Sequence, residues 1–286
     1  MKERNHKLLD HPVLGYFFLA IFAYVMSSLI FSTIIDSLIL ANIIPGYGIE
    51  VYTAGQKAVA ASGVGTAVGA LAAVGIFCRW FRPSFDGMLK KKDLLTGLLL
   101  LLPAAIPHWI GSIVSWTEFG TASVLLAFLR ALAPGFGEEV TFRGLGVANY
   151  LRRVPTEKGV AAAFWLSSVV FGAVHMLNVG SGAPLGISVL QSVYAIGIGM
   201  ALGAVYLRTG NLWPSIIIHT SLDFMEFIRS DLGNAAGVMS GLGKGDWITV
   251  AAGLAGCIWG LYLIRPSKRG CIVELWKGKW QITGNN

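Results

Sequence analysis

The amino-acid sequence predicts an all-α fold, a polytopic bundle of about eight transmembrane helices. Hydrophobic residues make up 55% of the 286 positions and charged residues only 13%, and the mean hydropathy is +0.66. Ordinary soluble domains have a much more polar composition. Long apolar runs recur between short polar connections, as spanning helices require, because backbone groups in hydrocarbon must hydrogen-bond within their own segment.

Apolar runs define the predicted helices. The first run begins after Lys2, Arg4 and Lys7 and has no small-residue cleavage site, which predicts a retained anchor rather than a removed signal peptide. No soluble domain or low-complexity linker separates the runs, so residues 1–286 are expected to form a single membrane domain. The predicted spans are residues 14–42, 57–78, 94–116, 121–149, 159–178, 184–207, 211–228 and 247–264.

The distribution of basic residues predicts the orientation of these spans. With a cytoplasmic N-terminus, 17 of the 22 Lys and Arg residues lie in inner segments. The positive-inside rule converts this asymmetry into two cytoplasmic termini, in a bacterial or archaeal cell membrane. The net charge of +7 is then explained by topology and by attraction to anionic lipid headgroups, and a nucleic-acid partner is not expected. The inner segments are residues 1–13, 79–93, 150–158, 208–210 and 265–286.

The tail and the cysteines complete the overview of the chain. After Arg265 the tail mixes tryptophan with lysine, which suits the headgroup level of a bilayer, although a frayed cytoplasmic end explains it equally well. Cys78, Cys257 and Cys271 lie far apart and show neither CxxC nor Cys/His ligand spacing. Neither a disulfide framework nor a thiolate zinc site is therefore predicted.

Ionisable residues inside the predicted spans indicate where function lies. Each costs at least about 2.5 to 3.5 kcal/mol on insertion scales, so each needs a partner or a task. Most of them lie in the fourth, fifth and seventh spans. They are Asp36, His108, Arg130, Glu138, Glu139, Arg143, His175, His219, Asp223 and Glu226.

The fourth span carries two adjacent glutamates directly after Pro134 and neighbouring glycines. Adjacent side chains on a helix point about 100° apart, whereas Glu139 and Arg143 are four residues apart and share a face. We therefore predict a Glu139–Arg143 pair that leaves Glu138 free. Because the proline and glycines loosen the helix just ahead of the carboxylates, water is expected to reach Glu138. The alternative is a buried ion-pair network that staples helices together.

The fifth and seventh spans supply histidines at the same helical spacing. Phe171 and His175 are four residues apart, and so are His219 and Asp223. A lone intramembrane histidine most often makes a hydrogen bond between helices. Two histidines and the free carboxylate of Glu138 instead suggest a site that activates water, with a carboxylate base, an imidazole that shares the proton and donors for an oxyanion.

The same residues resemble the motifs of a known family. EExxxR, FxxxH and HxxxN occur in order in the CPBP family, which contains the CAAX prenyl proteases and bacteriocin-processing membrane peptidases and is also called the Abi family. The resemblance covers roughly residues 121–229, which we predict to be the catalytic core. In this chain the matching positions are Glu138, Glu139 and Arg143, then Phe171 and His175, then His219 and Asp223.

The resemblance implies an intramembrane endopeptidase of the glutamic type, which hydrolyses peptide bonds of membrane-embedded or membrane-associated substrates without a cofactor. It implies Glu138 as the general base with His175 beside it, and His219 with the residue four later as the oxyanion site. Asp223 departs from the family, where Asn is usual. An Asn donates a hydrogen bond, but an ionised Asp does not, so Asp223 either carries a proton or acts as a second charge. Glu139, Arg143 and Phe171 match supporting positions.

Three alternatives are compatible with parts of this pattern. Glu138, His175 and His219 would also suit a zinc hydrolase, although the HExxH helix of common zinc proteases is absent. Intramembrane Glu and His also relay protons in coupled transporters, but no inverted repeat of interrupted helices is visible. A silent scaffold would leave these residues unexplained. The sequence does not choose among prenylated C-termini, peptide leaders and C-terminal anchors as substrates.

Overall fold

The computed structural model describes residues 7–40, 54–81, 92–114, 121–181, 183–229 and 244–280. This part of the chain is helical and contains no strand, which confirms the all-α prediction. After a turn at Lys7–Asp10, the helices are α1 (residues 12–40), α2 (Ala54–Phe81), α3 (Leu94–Val114), α4 (residues 121–153), α5 (Glu157–Val174), α6 (Leu185–Thr209), α7 (Trp213–Arg229), α8 (Lys244–Leu263) and α9 (Pro266–Trp280). A 3₁₀ turn, His175–Ser181, extends α5.

Each of the predicted segments lies on one of these helices, from α1 to α8. Within the described residues, five helical runs are long and apolar enough to cross a membrane. A sixth arises if α8 and α9, which bend by 74° relative to each other, form one broken span. The helices α4 and α7 are not among the five, and they carry most of the ionisable residues. That all eight segments cross the bilayer therefore stays a prediction.

Apolar side chains cover both the inside and the outside of the bundle. Many large ones point outward, such as Leu95 at 69%, Leu254 at 60% and Ile258 at 71% exposed. An aqueous surface would rarely expose so many, whereas lipid tails solvate them. The core lies around α6, where Met200 and Leu202 are among the fully buried residues.

The middle of α4, where the sequence predicts a loosened helix, has wider turns than an ordinary α-helix. Its middle section, Ala133–Val147, is π-helical, with Pro134 at its start. Such segments are rare in proteins and occur frequently at functional sites, because the wider turn moves side chains out of the ordinary helical register. The loosening thus takes the form of a widened helix and not of a break. It contains both glutamates and Arg143.

The helix α9 is the element that the sequence did not define. It follows the bend at Pro266, whose ring suits the first position of a new helix. Trp276 is 1% exposed, its indole Nε1 donates to the Leu207 carbonyl at 2.9 Å, and its ring meets Tyr206 edge to face. The tail is therefore docked against the end of α6 and is not frayed up to Trp280.

Candidate functional site

The helices α4, α5 and α7 bring the predicted residues to one place around the ring of Phe171. This ring is 2% exposed, and its centroid lies 5.3 Å from the His175 ring and 5.5 Å from the His219 ring. The Arg143 guanidinium stacks 4.0 Å above it. Phe171 thus holds two histidines from different helices and the arginine of a third in contact with one aromatic side chain.

The Glu139 carboxylate is the centre of a buried polar network. Its Oε1 accepts from Arg143 Nη1 at 2.8 Å, which confirms the predicted pair. The same oxygen lies 2.9 Å from His219 Nδ1, a contact between α4 and α7 that the sequence did not predict. Both Glu139 and Arg143 are 0% exposed, so each charge depends on the other for compensation.

The position of the His219 proton follows from these contacts. A carboxylate that is already paired with Arg143 accepts only, so His219 Nδ1 carries a hydrogen toward Glu139. The other nitrogen, Nε2, lies 3.0 Å from Asp223 Oδ2. Two such atoms at that distance require a proton between them. Either the ring is an imidazolium facing an ionised Asp223, or a protonated Asp223 faces a neutral ring.

The network opens toward Asp223. Side-chain exposure is 0% for Glu139, 7% for His219 and 25% for Asp223. Because both ring nitrogens of His219 face carboxyl groups, the Asp223 carboxyl is the end of the network that another molecule can reach.

His175 lies at the junction between α5 and the following 3₁₀ turn. Its Nδ1 is 2.9 Å from the Phe171 carbonyl, which can only accept, so Nδ1 carries the hydrogen and Nε2 of the neutral ring has a free lone pair. The ring is partly exposed, and Leu177 two residues later is 71% exposed. His175 therefore presents a proton acceptor near the surface of the bundle.

Glu138 differs from Glu139 in its exposure and in its lack of an ion pair among the described residues. It is partly exposed, and within the described residues its buried Oε2 has no hydrogen-bond partner. No hydrogen bond or ion pair joins it to His175 in that part of the chain, so the two would cooperate only through a molecule between them.

One further residue contacts this carboxylate, and the sequence did not indicate it. The phenol of Tyr24 on α1 lies close enough to Glu138 to interact with its carboxylate. The ring of Tyr24 also meets Phe142 edge to face, with centroids 6.2 Å apart. A tyrosine in an apolar run carries no motif, so only the packing of α1 on α4 identifies it.

A second group of polar residues lies on α3 and α7. Ser112 Oγ donates to Glu226 Oε1 at 2.6 Å, and His108 Nε2 lies 3.5 Å from the same oxygen. The indole of Trp109 donates to Ser221 at 3.2 Å. These contacts anchor α7, the helix of His219, to α3.

The zinc alternative can be tested against this geometry. Among the residues that the structure describes, no three His, Cys, Asp or Glu side chains are grouped as metal ligands. A metal needs a ring nitrogen with a free lone pair, whereas both nitrogens of His219 face carboxyl groups. His175 Nε2 would be available. The predicted set Glu138, His175 and His219 is thus not grouped as metal ligands among the described residues, and the metal-free reaction stays a prediction.

Comparison with known proteins identifies the region that contains these motifs. Residues 120–225 match the family model described as Type II CAAX prenyl endopeptidase Rce1-like. The resemblance predicted from the three motifs is thereby confirmed, and together with the apolar helices the match identifies an integral membrane protein with a membrane endopeptidase domain. A search of curated proteins and a search of solved structures found no match to the chain.

Proposed function

Because residues 120–225 match the type II CAAX prenyl endopeptidase model, we propose that this chain is a glutamic-type intramembrane endopeptidase in which Glu138 activates the attacking water. The observation that supports this role most is the contrast between the two glutamates. Glu139 is 0% exposed and its Oε1 is bound by both Arg143 and His219, whereas Glu138 is partly exposed and makes no ion pair among the described residues. A base needs a carboxylate that water can reach.

The first step is the attack of water. A water molecule between Glu138 and His175 would give one hydrogen to the free carboxylate oxygen while its oxygen attacks the peptide carbonyl. His175 Nε2, left with its lone pair by the Nδ1 bond to the Phe171 carbonyl, would accept the second hydrogen bond of this water.

The second step is the stabilisation of the oxyanion. Asp223 is the exposed end of the buried network, so its carboxyl, when protonated, can turn its hydrogen from His219 Nε2 to the developing negative charge. The buried cation Arg143 adds positive charge behind it. The proton held by Glu138 then passes to the leaving nitrogen as the C–N bond breaks, which restores the base and completes the hydrolysis.

The substrate class follows from where the site lies. Glu138, His175 and Asp223 are the partly exposed members, and they lie among helices whose outer faces are apolar. A peptide held in or at the membrane would reach these residues laterally, so we propose membrane-associated peptides or proteins as substrates. Prenylated C-termini, peptide leaders and C-terminal anchors remain the candidates.

The experiment reconstitutes the full chain in liposomes with membrane-anchored peptides, each in a prenylated and an unprenylated form. Cleavage is followed by mass spectrometry in H₂¹⁸O under single-turnover conditions. Water activation places ¹⁸O in the new carboxyl group of the product and none in Glu138. Label in the Glu138 side chain would instead indicate an acyl intermediate on that carboxylate and would refute its role as a base.

A further inference from the structure

The first helix, which lies outside the matched domain, reaches the proposed catalytic carboxylate. The helices α1 and α4 run antiparallel, so Tyr16 lies opposite Gly146 and Tyr24 lies opposite Gly137. A Cβ atom on Gly146 would be 2.9 Å from Tyr16 Cδ2, and one on Gly137 would be 3.5 Å from Tyr24 Cε2. Both tyrosine rings therefore rest directly on the α4 backbone at positions without a side chain.

This packing places Tyr24 one residue from the proposed base. Its ring lies near Gly137, the neighbour of Glu138, beside Thr66 of α2, and meets Phe142 one turn further along α4. A phenol at that position can donate a hydrogen bond to the Glu138 carboxylate. When this group is ionised it has no hydrogen of its own and acts purely as an acceptor. The phenol of Tyr24 interacts with the Glu138 carboxylate at this position.

We propose that Tyr24 is a positioning residue that holds one oxygen of the Glu138 carboxylate and leaves the other for water. This inference rests on the proposed function of Glu138. The catalytic site would accordingly include α1 as well as the helices of the matched domain. A carboxylate on a widened helix has several accessible rotamers, and a fixed donor on a neighbouring helix selects one of them.

The chain provides a matched control for this proposal. Tyr16 is on the same helix and its ring also faces α4, but its buried hydroxyl has no hydrogen-bond partner among the described residues. Tyr16→Phe and Tyr24→Phe thus remove the same atom from two rings that face α4. Only the second removes a donor to Glu138.

The first measurement is turnover of a membrane-anchored peptide by the full chain in liposomes. Tyr24→Phe is expected to lower kcat by about 10- to 100-fold, the rate equivalent of one hydrogen bond to a charged group, with little change in KM. Tyr16→Phe should retain the wild-type kcat. A Tyr24→Phe variant with wild-type kcat would overturn the proposal.

The second measurement does not depend on peptidase activity. Infrared titration follows the protonated carboxyl band of Glu138, assigned by its absence in Glu138→Gln. Removing the phenol donor should move the midpoint of this band to higher pH by about one unit, because the charged form loses a hydrogen bond. Glu138 also faces Glu139, Arg143, His219 and Asp223, which neither tyrosine substitution alters.

The two measurements together separate the inference from the proposed function. A midpoint that moves in Tyr24→Phe but not in Tyr16→Phe, together with a loss of kcat, supports the role of Tyr24. An unchanged midpoint in both variants overturns it. If the midpoint moves while even the wild-type protein cleaves no peptide, the Tyr24–Glu138 bond stands and the proposed reaction fails.

Discussion

Replacing Glu139 with Gln removes a charge on which two helices depend. The side chain keeps its shape and an oxygen that can accept a hydrogen bond, but the Arg143 guanidinium loses its counter-ion. Arg143 is 0% exposed, and its remaining contacts are a 3.5 Å approach to the Gly199 carbonyl and the face of Phe171. Neither of these carries a negative charge.

The expected loss of stability in Glu139→Gln follows from the burial of the Glu139–Arg143 pair. An unpaired arginine at the centre of a membrane helix costs about 2.5 to 3.5 kcal/mol on insertion scales. Breaking a buried ion pair costs about 3 to 5 kcal/mol in proteins generally. The contact with Phe171 exists already and contributes about 0.5 to 2 kcal/mol, so it cannot offset the loss. We expect a loss of about 3 kcal/mol, or roughly a hundredfold change in the folding equilibrium.

The matched variant is Glu138→Gln at the adjacent position. Glu138 is partly exposed and has no salt bridge among the described residues, so its replacement should change stability by less than about 1 kcal/mol. Turnover should nevertheless fall by about 10²-fold or more, because the amide cannot accept the proton of water. The two variants thus separate stability from catalysis at neighbouring residues.

The assay is the yield and melting temperature of each variant after extraction in mild detergent, followed by cleavage in liposomes. The melting temperature of Glu139→Gln should be well below that of the wild-type protein. Glu138→Gln should melt at the wild-type temperature but remain inactive. The reasoning is refuted if Glu139→Gln melts at the wild-type temperature, or if Glu138→Gln cleaves at the wild-type rate.

Three further predictions concern the remaining residues. If Asp223 donates when protonated, its contribution to the rate is present at low pH and lost as pH rises, whereas Asn donates at every pH. Asp223→Asn should therefore stay active, and the alkaline limb of its pH–rate profile should extend to higher pH. A loss of activity at all pH values contradicts this. Without a catalytic zinc, a strong chelator should leave turnover unchanged and elemental analysis should find no stoichiometric metal; an activity-linked ion would favour the zinc alternative. Reporter fusions in the connection 229–246, most of which lies outside the described residues, should report the outer side of the membrane, and a cytoplasmic signal contradicts the predicted orientation.

Contacts within a helix were the part of the site that could be predicted from sequence. Glu139 with Arg143, and His219 with Asp223, are each four residues apart, and the helical repeat alone brings such pairs together. Both contacts are present, at 2.8 Å and 3.0 Å. That Glu139 and not Glu138 pairs with Arg143 follows from the same repeat, so it too is predictable from the order of the residues.

Contacts between helices could not be predicted in this way. The bond between His219 and Glu139, the central place of Phe171 and the approach of Tyr24 to Glu138 join residues that are far apart in the chain. Each depends on how a helix is rotated about its axis and where along its length it meets its neighbour. A single sequence contains no local pattern that fixes either quantity.

The sequence by itself determined that this protein is a membrane-embedded helical bundle and which helices carry its reactive side chains, because insertion into lipid depends on composition and on the helical repeat, both of which are local. Only the tertiary structure decided that both nitrogens of His219 face carboxyl groups, that the tail docks through Trp276, and that α1 contributes Tyr24 to the site. These features depend on close packing between helices, which arises only when the whole chain is folded.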